Sequence, residues 1–109
     1  MKPEARYADV VKGFSGRRRV TCVDEAGGFG SRGQLKVDGR IFAMLVRGEL
    51  VVKLPRDRVD ELVDAGHGRR FDAGKGRPMR EWFALASTSR QAWMPLAQEA
   101  FDFVQEAKR

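Results

Sequence analysis

The pair Asp38-Gly39 constrains the fold more than any other feature, because it separates two β-prone segments, residues 34–37 and 41–46. Both central positions of a type I′ hairpin turn need positive φ, and an Asp followed by a Gly meets that need. A second two-residue turn, Arg47-Gly48, leads into another β-prone segment. The spacing predicts a three-stranded antiparallel meander over residues 34–54.

The middle segment of this meander, residues 41–46, is apolar throughout. A half-solvated antiparallel strand would instead alternate apolar and polar residues. We therefore expect this strand to lie centrally in the sheet, with both faces covered by helices or by a second copy of the chain. The second alternative makes a homodimer one of the assemblies to consider.

Three helices are predicted to flank the sheet, near residues 3–13, 57–65 and 89–107, because their apolar residues recur at helical spacing. Gly13 and Gly66 are placed to end the first two helices, since glycine readily adopts the left-handed conformation found there.

Polar residues and a proline mark where two of these helices begin. Asp57 is predicted to cap the second helix, because a carboxylate can accept a bond from a free backbone N–H. The run Ser87-Thr88-Ser89 is predicted to start the third helix. Pro95 should then lie in the opening turn, because deeper in a helix it would remove a hydrogen bond.

Two more strands are predicted near residues 20–23 and 81–85 from their β-branched and aromatic side chains. The glycine-rich residues 24–33 and the basic residues 67–79 are predicted to form loops. The chain of 109 residues has the length of one domain. Together these features predict a single α+β domain over residues 1–109, an antiparallel sheet with flanking helices.

The charge balance favours an anionic partner. The chain has 21 Lys and Arg residues against 15 Asp and Glu residues, a net charge of +6. Cations that neutralise phosphates release counterions, so this excess suits nucleic acid. A merely hydrated surface is the alternative, because the acidic residues are interspersed among the basic ones.

The cellular location is predicted from the apolar segments and the cysteine content. No apolar run approaches the roughly 20 residues that span a bilayer. Residues 1–6 lack the apolar stretch of a signal peptide, and a single cysteine allows no disulfide framework. We expect a cytoplasmic protein with no membrane partner.

The residues that usually carry catalysis or bind metal are few. Cys22 and His67 are the only residues of their types, whereas Cys/His zinc sites need three or four ligands. We interpret Cys22 as a small buried hydrophobic residue and His67 as a surface loop residue. The sequence therefore predicts no catalytic residue, no metal, no cofactor and no enzymatic activity.

Two glycine-containing segments are candidate anion-binding sites. Residues 28–33 match the G-x-G-x-x-G string, but a dinucleotide site needs a helix at the third glycine, and a strand is predicted here. Residues 72–79 place Lys75 and Arg77 on a turn whose amides could bind an anion. The alternative is a structural turn that delivers Trp82 to the core. An enzyme acting on a small anionic ligand at this turn is the least favoured hypothesis.

The candidate nucleic-acid contacts are basic residues near strand ends and turns. No helix rich in Arg, Asn or Gln is available to read base edges, so we expect non-specific contacts to phosphates. The candidates are Arg17, Arg18, Arg19, Arg69, Arg70, Lys75, Arg77 and Arg80.

Three segments carry a resemblance to a known family: GRIFAML (residues 39–45), GELVVKLP (48–55) and GKGRPMREW (74–82). In this order and spacing, they resemble the TfoX/Sxy N-terminal-domain family over residues 27–104. More distantly, the chain resembles the MmcQ/YjbR-like proteins, which are described as carrying a DNA-binding double wing. The resemblance implies a compact α+β fold, a role in transcription regulation and no catalytic residues.

The leading hypothesis is a non-enzymatic, TfoX N-terminal-like module that acts through nucleic acid or a regulatory protein partner. The alternative is a structural or protein-interaction domain with no nucleic-acid role. The arrangement of the candidate cations distinguishes the two, because a shared face favours nucleic acid and scattered cations favour the alternative.

Overall fold

A computed structural model describes residues 3–14, 16–17, 19–23, 31–71, 81–86 and 92–107. The described helices are α1 (Pro3–Phe14), α2 (Arg56–Asp64) and α3 (Trp93–Ala107). The described strands are β1 (Val20–Val23), β2 (Ser31–Val37), β3 (Arg40–Val46), β4 (Glu49–Lys53), β5 (Gly68–Arg70) and β6 (Trp82–Leu85). The strands form one antiparallel sheet in the order β1-β2-β3-β4-β6-β5, which confirms the α+β fold class.

The meander forms as predicted. Asp38 and Gly39 have φ values of 53° and 81°, and Arg47 and Gly48 have 51° and 79°. Positive φ at both central positions is the signature of type I′ turns, whose twist matches that of the flanking strands. The turn chemistry of the sequence therefore sets the end of β2, both ends of β3 and the start of β4.

The two predicted loops are wrong in part, because each contains strand residues. Ser31 to Gly33 belong to β2, and Gly68 to Arg70 form the short edge strand β5. Neither stretch has a run of β-branched or aromatic residues, so local propensity favours a loop. Pairing with β3 and β6 respectively makes them strands.

The helix ends agree with the prediction at one of three positions. Gly66 follows α2 with a φ of 80°, as predicted. Gly13 does not end α1, which continues to Phe14. Instead, a Cβ at Gly13 would lie 2.7 Å from Cε of Met94, so the missing side chain lets α1 approach α3.

Asp57 does not cap α2 either. Pro55 occupies the N-cap position and makes no side-chain cap bond, while Asp57 lies in the first turn. A carboxylate there still interacts favourably with the helix dipole. In α3, Pro95 is the third helical residue, within the opening turn as predicted. The run Ser87-Thr88-Ser89 lies outside the described residues, but Ala92 is not helical, so α3 begins at Trp93, later than predicted.

The pairing of β2 with β3 contains two bulges: β2 has an extra residue at Gly33-Gln34, and β3 has one at Phe42. Leu35 pairs with Ala43 and Lys36 with Ile41, which leaves Phe42 as an extra residue on β3. A bulge sets two residues of one strand against one of its neighbour and locally disrupts the alternation of side chains. Phe42 and Ala43 consequently both lie in the core cluster under the helices.

The main core lies between the sheet and the three helices. At its centre the ring centroids of Phe14, Phe42 and Phe101 are 5.2 to 5.7 Å apart. The other face of the sheet has a smaller buried cluster, to which no residue of a described helix belongs: Met44, Val46, Val51, Phe71 and Ala84, with Trp82 packed against it. The central position of β3 is confirmed, but the helices among the described elements cover only one of its faces.

We call the face with the smaller cluster the helix-free face, in the sense that no described helix packs on it. No helix in the described part of the chain is long and apolar enough to cross a membrane.

Candidate functional site

Arg17 packs against two aromatic residues of the core. Its guanidinium lies 4.3 Å from the ring centroid of Phe14 and 5.5 Å from that of Phe101. Its Nη1 donates a 2.8 Å hydrogen bond to Oε1 of Gln98 on α3. Because the cation stacks on aromatic rings, its position is fixed by contacts that stabilise the fold.

Arg19 stabilises the β2–β3 turn. Its Nε donates a 2.6 Å hydrogen bond to Oδ1 of Asp38, and its Nη2 pairs with Oδ2 of the same carboxylate. The backbone N–H of Asp38 also donates to the carbonyl of Arg19 at 3.0 Å. Two parallel bonds make this a bidentate pair, the strongest geometry available between these groups.

Arg69 and Arg70 lie next to each other on β5 but on opposite faces of the sheet. Arg69 lies on the helix-free face, where Nη1 and Nη2 contact Glu49 at 3.0 and 2.8 Å. The hydrogen bond to Glu49 raises the pKa of Arg69 above its usual value. Arg70 lies on the helix face, where its Nη2 pairs with Asp60 of α2.

These four arginines do not form a common surface. Arg17 and Arg19 lie near the β1 edge, and Arg69 and Arg70 lie on β5 at the opposite edge. Six strands have five spacings, so the two edges are about 24 Å apart at about 4.8 Å per spacing. The other four candidates, Arg18, Lys75, Arg77 and Arg80, lie outside the described residues, as do the 72–79 turn and Gly28 to Gly30.

Pairing across the sheet brings together a different set of residues on the helix-free face. We call this set the cross-strand row: Thr21, Lys36, Ile41, Lys53 and Trp82. Thr21 pairs with Lys36, Lys36 with Ile41, and Lys53 with Trp82. These pairings join β1, β2 and β3 on one side and β4 and β6 on the other. The two parts lie on neighbouring strands of the same face, since Lys53 directly follows Val52, the partner of Ala43.

Burial confirms the side of the sheet to which this row belongs. Leu35 and Val37 lie in the core under the helices, so Lys36 between them lies on the helix-free face. Val51 belongs to the smaller cluster, and Lys53, two residues later, shares its face. Both lysines are half-buried, which leaves them accessible to a ligand.

Lys53 and Trp82 are in contact within the row. The Nζ atom of Lys53 lies 5.9 Å from the centroid of the Trp82 ring. Trp82 is only partly buried, so the predicted delivery of this side chain to the core is half correct. Lys36 forms no ion pair with any residue in the described ranges. The row thus combines a cation that has no ion pair within the described part of the chain, a second cation and an accessible aromatic ring.

Lys36 and Lys53 are not among the site residues predicted from the sequence. Alternation in Leu35-Lys36-Val37 signals that the lysine faces away from the core. That signal does not place it near Lys53, two strands away, because the register between β2 and β4 depends on the bulge at Phe42.

A cavity of about 410 Å³ lies between α1 and strands β1 to β3. Its described lining residues are Glu4, Tyr7, Ala8, Val11, Cys22, Gly33 and Leu45. Most of the lining is apolar, and Glu4 carries the only charge among these residues. This cavity could not be predicted from the sequence, because its shape depends on how α1 packs against the sheet.

Tyr7 and Gly33 form one wall of this cavity. The hydroxyl of Tyr7 donates to the carbonyl oxygen of Gly33. Gly33 has a φ of 58°, and a Cβ added there would lie 2.7 Å from Cε2 of the Tyr7 ring. Burial raises the pKa of Tyr7 well above its usual value, and the neighbouring Cys22 raises it further.

Cys22 and His67 compare differently with their predictions, since His67 lies in the bend between α2 and β5, as a loop residue should. Cys22 is exposed, so its predicted burial is wrong. It lies on an edge strand, where a side chain has a neighbouring strand on one side only. His67 is half-buried, and its backbone is tied to Leu62 and Ala86 at 3.0 and 2.9 Å.

Metal ligands and known relatives add nothing further to the site. In the described ranges, no three His, Cys, Asp or Glu side chains are grouped as a metal centre requires. In comparisons with known proteins, no family model, no curated protein and no solved structure matches this chain.

Proposed function

We propose that this chain is a non-enzymatic regulatory module that binds single-stranded nucleic acid on the helix-free face of its sheet. The observation that supports the proposal is the cross-strand row, in which Lys36, Lys53 and Trp82 lie on one face of the sheet.

The chemistry of the row suits a flexible, unpaired strand. Lys36 and Lys53 lie two strands apart, so their backbones are separated by about 10 Å. Cations at this spacing can contact different phosphates of one strand. A base that stacks on an accessible aromatic ring such as Trp82 contributes about 1–3 kcal/mol, whatever its sequence. A duplex hides its base faces and could use only the lysines.

The resemblance to the predicted family also supports a regulatory role and involves residues of the cross-strand row. Residues 48–55 and 74–82 carry the resemblance to the TfoX N-terminal-domain family, and they include Lys53 and Trp82. Family membership and a regulatory role in the cytoplasm are parts of this proposal.

Titration with a fluorescein-labelled 20-nucleotide single strand and a matched duplex tests the proposal at two salt concentrations. We expect single-strand dissociation constants of roughly 10⁻⁴–10⁻⁶ M, the range of non-specific complexes. Each phosphate contact contributes about −0.7 to the slope of log K against log salt for single strands. Replacing Lys36 and Lys53 together by Gln should therefore reduce the slope by about 1.4.

A matched variant controls for net charge. Lys12 and Arg56 are exposed, and changing both to Gln removes the same charge away from the row. This control should retain the wild-type salt slope. Trp82→Ala should weaken single-strand binding without changing the salt slope. Equal losses in the two double variants, or no binding of the wild type at low salt, would contradict the proposal.

The second candidate function, a structural or protein-interaction domain, is supported by the arginines. Arg19, Arg69 and Arg70 are paired with carboxylates of the same chain and lie at opposite edges or faces of the sheet. Such pairs hold the fold together and leave less charge for phosphates. Absence of nucleic-acid binding at low salt would place this candidate first.

A further inference from the structure

We infer that the cavity between α1 and the sheet is a binding site for a small molecule with an apolar body and a protonated amine. Its volume of about 410 Å³ falls within the range of about 300–1,000 Å³ typical of small-molecule sites. This site is separate from the cross-strand row, which lies on the other face of the sheet.

The cavity is built into the fold rather than left by loose packing. The ring of Tyr7 is held by its hydrogen bond to Gly33, and Gly33 is fixed in turn by the bulge in β2. Tyr7 and Leu45 are only 4% and 6% exposed, so both are held by their surroundings. A wall that is held on several sides does not collapse to fill the space, and a preformed pocket binds without the cost of ordering it.

The distribution of polarity sets the orientation of the ligand. Tyr7 and Leu45 form the buried end, which suits an apolar body. Glu4 and Cys22 are exposed and lie at the rim. The Glu4 carboxylate favours a protonated amine there and disfavours an acid, because a charge-assisted hydrogen bond forms only with the amine.

Two probes of equal size and opposite charge test the inference: 2-(2-naphthyl)ethylamine and 2-naphthylacetate. Binding is measured by chemical-shift changes in the isotope-labelled, full-length chain. For ligands of this size we expect a dissociation constant of about 1 mM or tighter for the amine. The acid should bind at least about five-fold more weakly, as expected for loss of one charge-assisted contact.

Variants of α1 separate binding in the cavity from binding elsewhere. Ala8 lines the cavity and Ala5 does not, although both are exposed on the same helix. Ala8→Leu should abolish amine binding, whereas Ala5→Leu should preserve it. Glu4→Gln should remove the preference for the amine while the two probes still bind.

A chemical readout complements the spectra. The thiol of Cys22 lies at the rim, so bound amine should slow its reaction with a disulfide reagent, and Ala8→Leu should remove this protection. Thermal melts verify that each variant folds, and amine binding should be unchanged in the Lys36/Lys53 double variant. The inference is overturned if 5 mM amine shifts no resonance of the lining residues, or if Ala8→Leu binds like Ala5→Leu.

Discussion

Replacing Gly33 by Ala should destabilise the protein by about 2–5 kcal/mol, through two separate effects. The first is backbone strain, because a left-handed conformation costs an L-residue roughly 1–2 kcal/mol and Gly33 has a φ of 58°. The second is overpacking, because the new Cβ would lie 2.7 Å from Cε2 of Tyr7. Forcing extra atoms into a packed site typically costs about 1–3 kcal/mol.

Gly66→Ala is the matched control for the strain alone. Gly66 has a φ of 80°, and a Cβ added there has no atom within 4 Å. Its replacement should therefore cost only about 1–2 kcal/mol. The difference between the two variants isolates the contact with the Tyr7 ring.

Urea denaturation, followed by circular dichroism, measures both free energies of unfolding. In a Tyr7→Leu background the smaller side chain should relieve the overpacking, so that Gly33→Ala then costs no more than Gly66→Ala. If both alanine variants lose the same stability in the wild-type background, the new Cβ at Gly33 does not overpack the Tyr7 ring, and the prediction is wrong.

The remaining predictions concern a tryptophan and a pH dependence. Trp93, the first residue of α3, is 6% exposed, so Trp93→Ala should cost about 3–5 kcal/mol in urea denaturation. Trp82 is half-buried, so Trp82→Ala should cost less. Equal losses would contradict the assigned burial. Burial raises the pKa of Tyr7, so above pH 10 the unfolded state releases a proton that the folded state keeps. Stability should therefore fall as pH rises above 10, by up to about 1.4 kcal/mol per pH unit, and Tyr7→Phe should flatten that slope.

The parts of the fold that follow from local chemistry could be predicted from the sequence. Asp38-Gly39 and Arg47-Gly48 need no tertiary information to form turns, so the meander was predicted with both of its turns, although β2 begins at Ser31 rather than at Gln34. The short strand β5 has no such signal. It forms only because β6 offers backbone groups for pairing, and that pairing joins segments distant in sequence.

The candidate sites depend on the least local features of the fold. Without the bulge at Phe42, strict alternation would place Phe42 on the same face as Met44, opposite the helices. The bulge returns Phe42 to the main core, against Phe14 and Phe101. It also keeps Ile41 on the helix-free face beside Lys36.

The same kind of irregularity creates the cavity. The bulge at Gly33 provides the carbonyl that holds Tyr7, and the ring then forms one wall of the space beneath α1. A glycine in a glycine-rich segment gives no sign of this role, because the six-residue string around it also fits a flexible loop. Both candidate sites thus arise where one strand carries a residue more than its neighbour, and a pattern of strict alternation cannot locate such a residue.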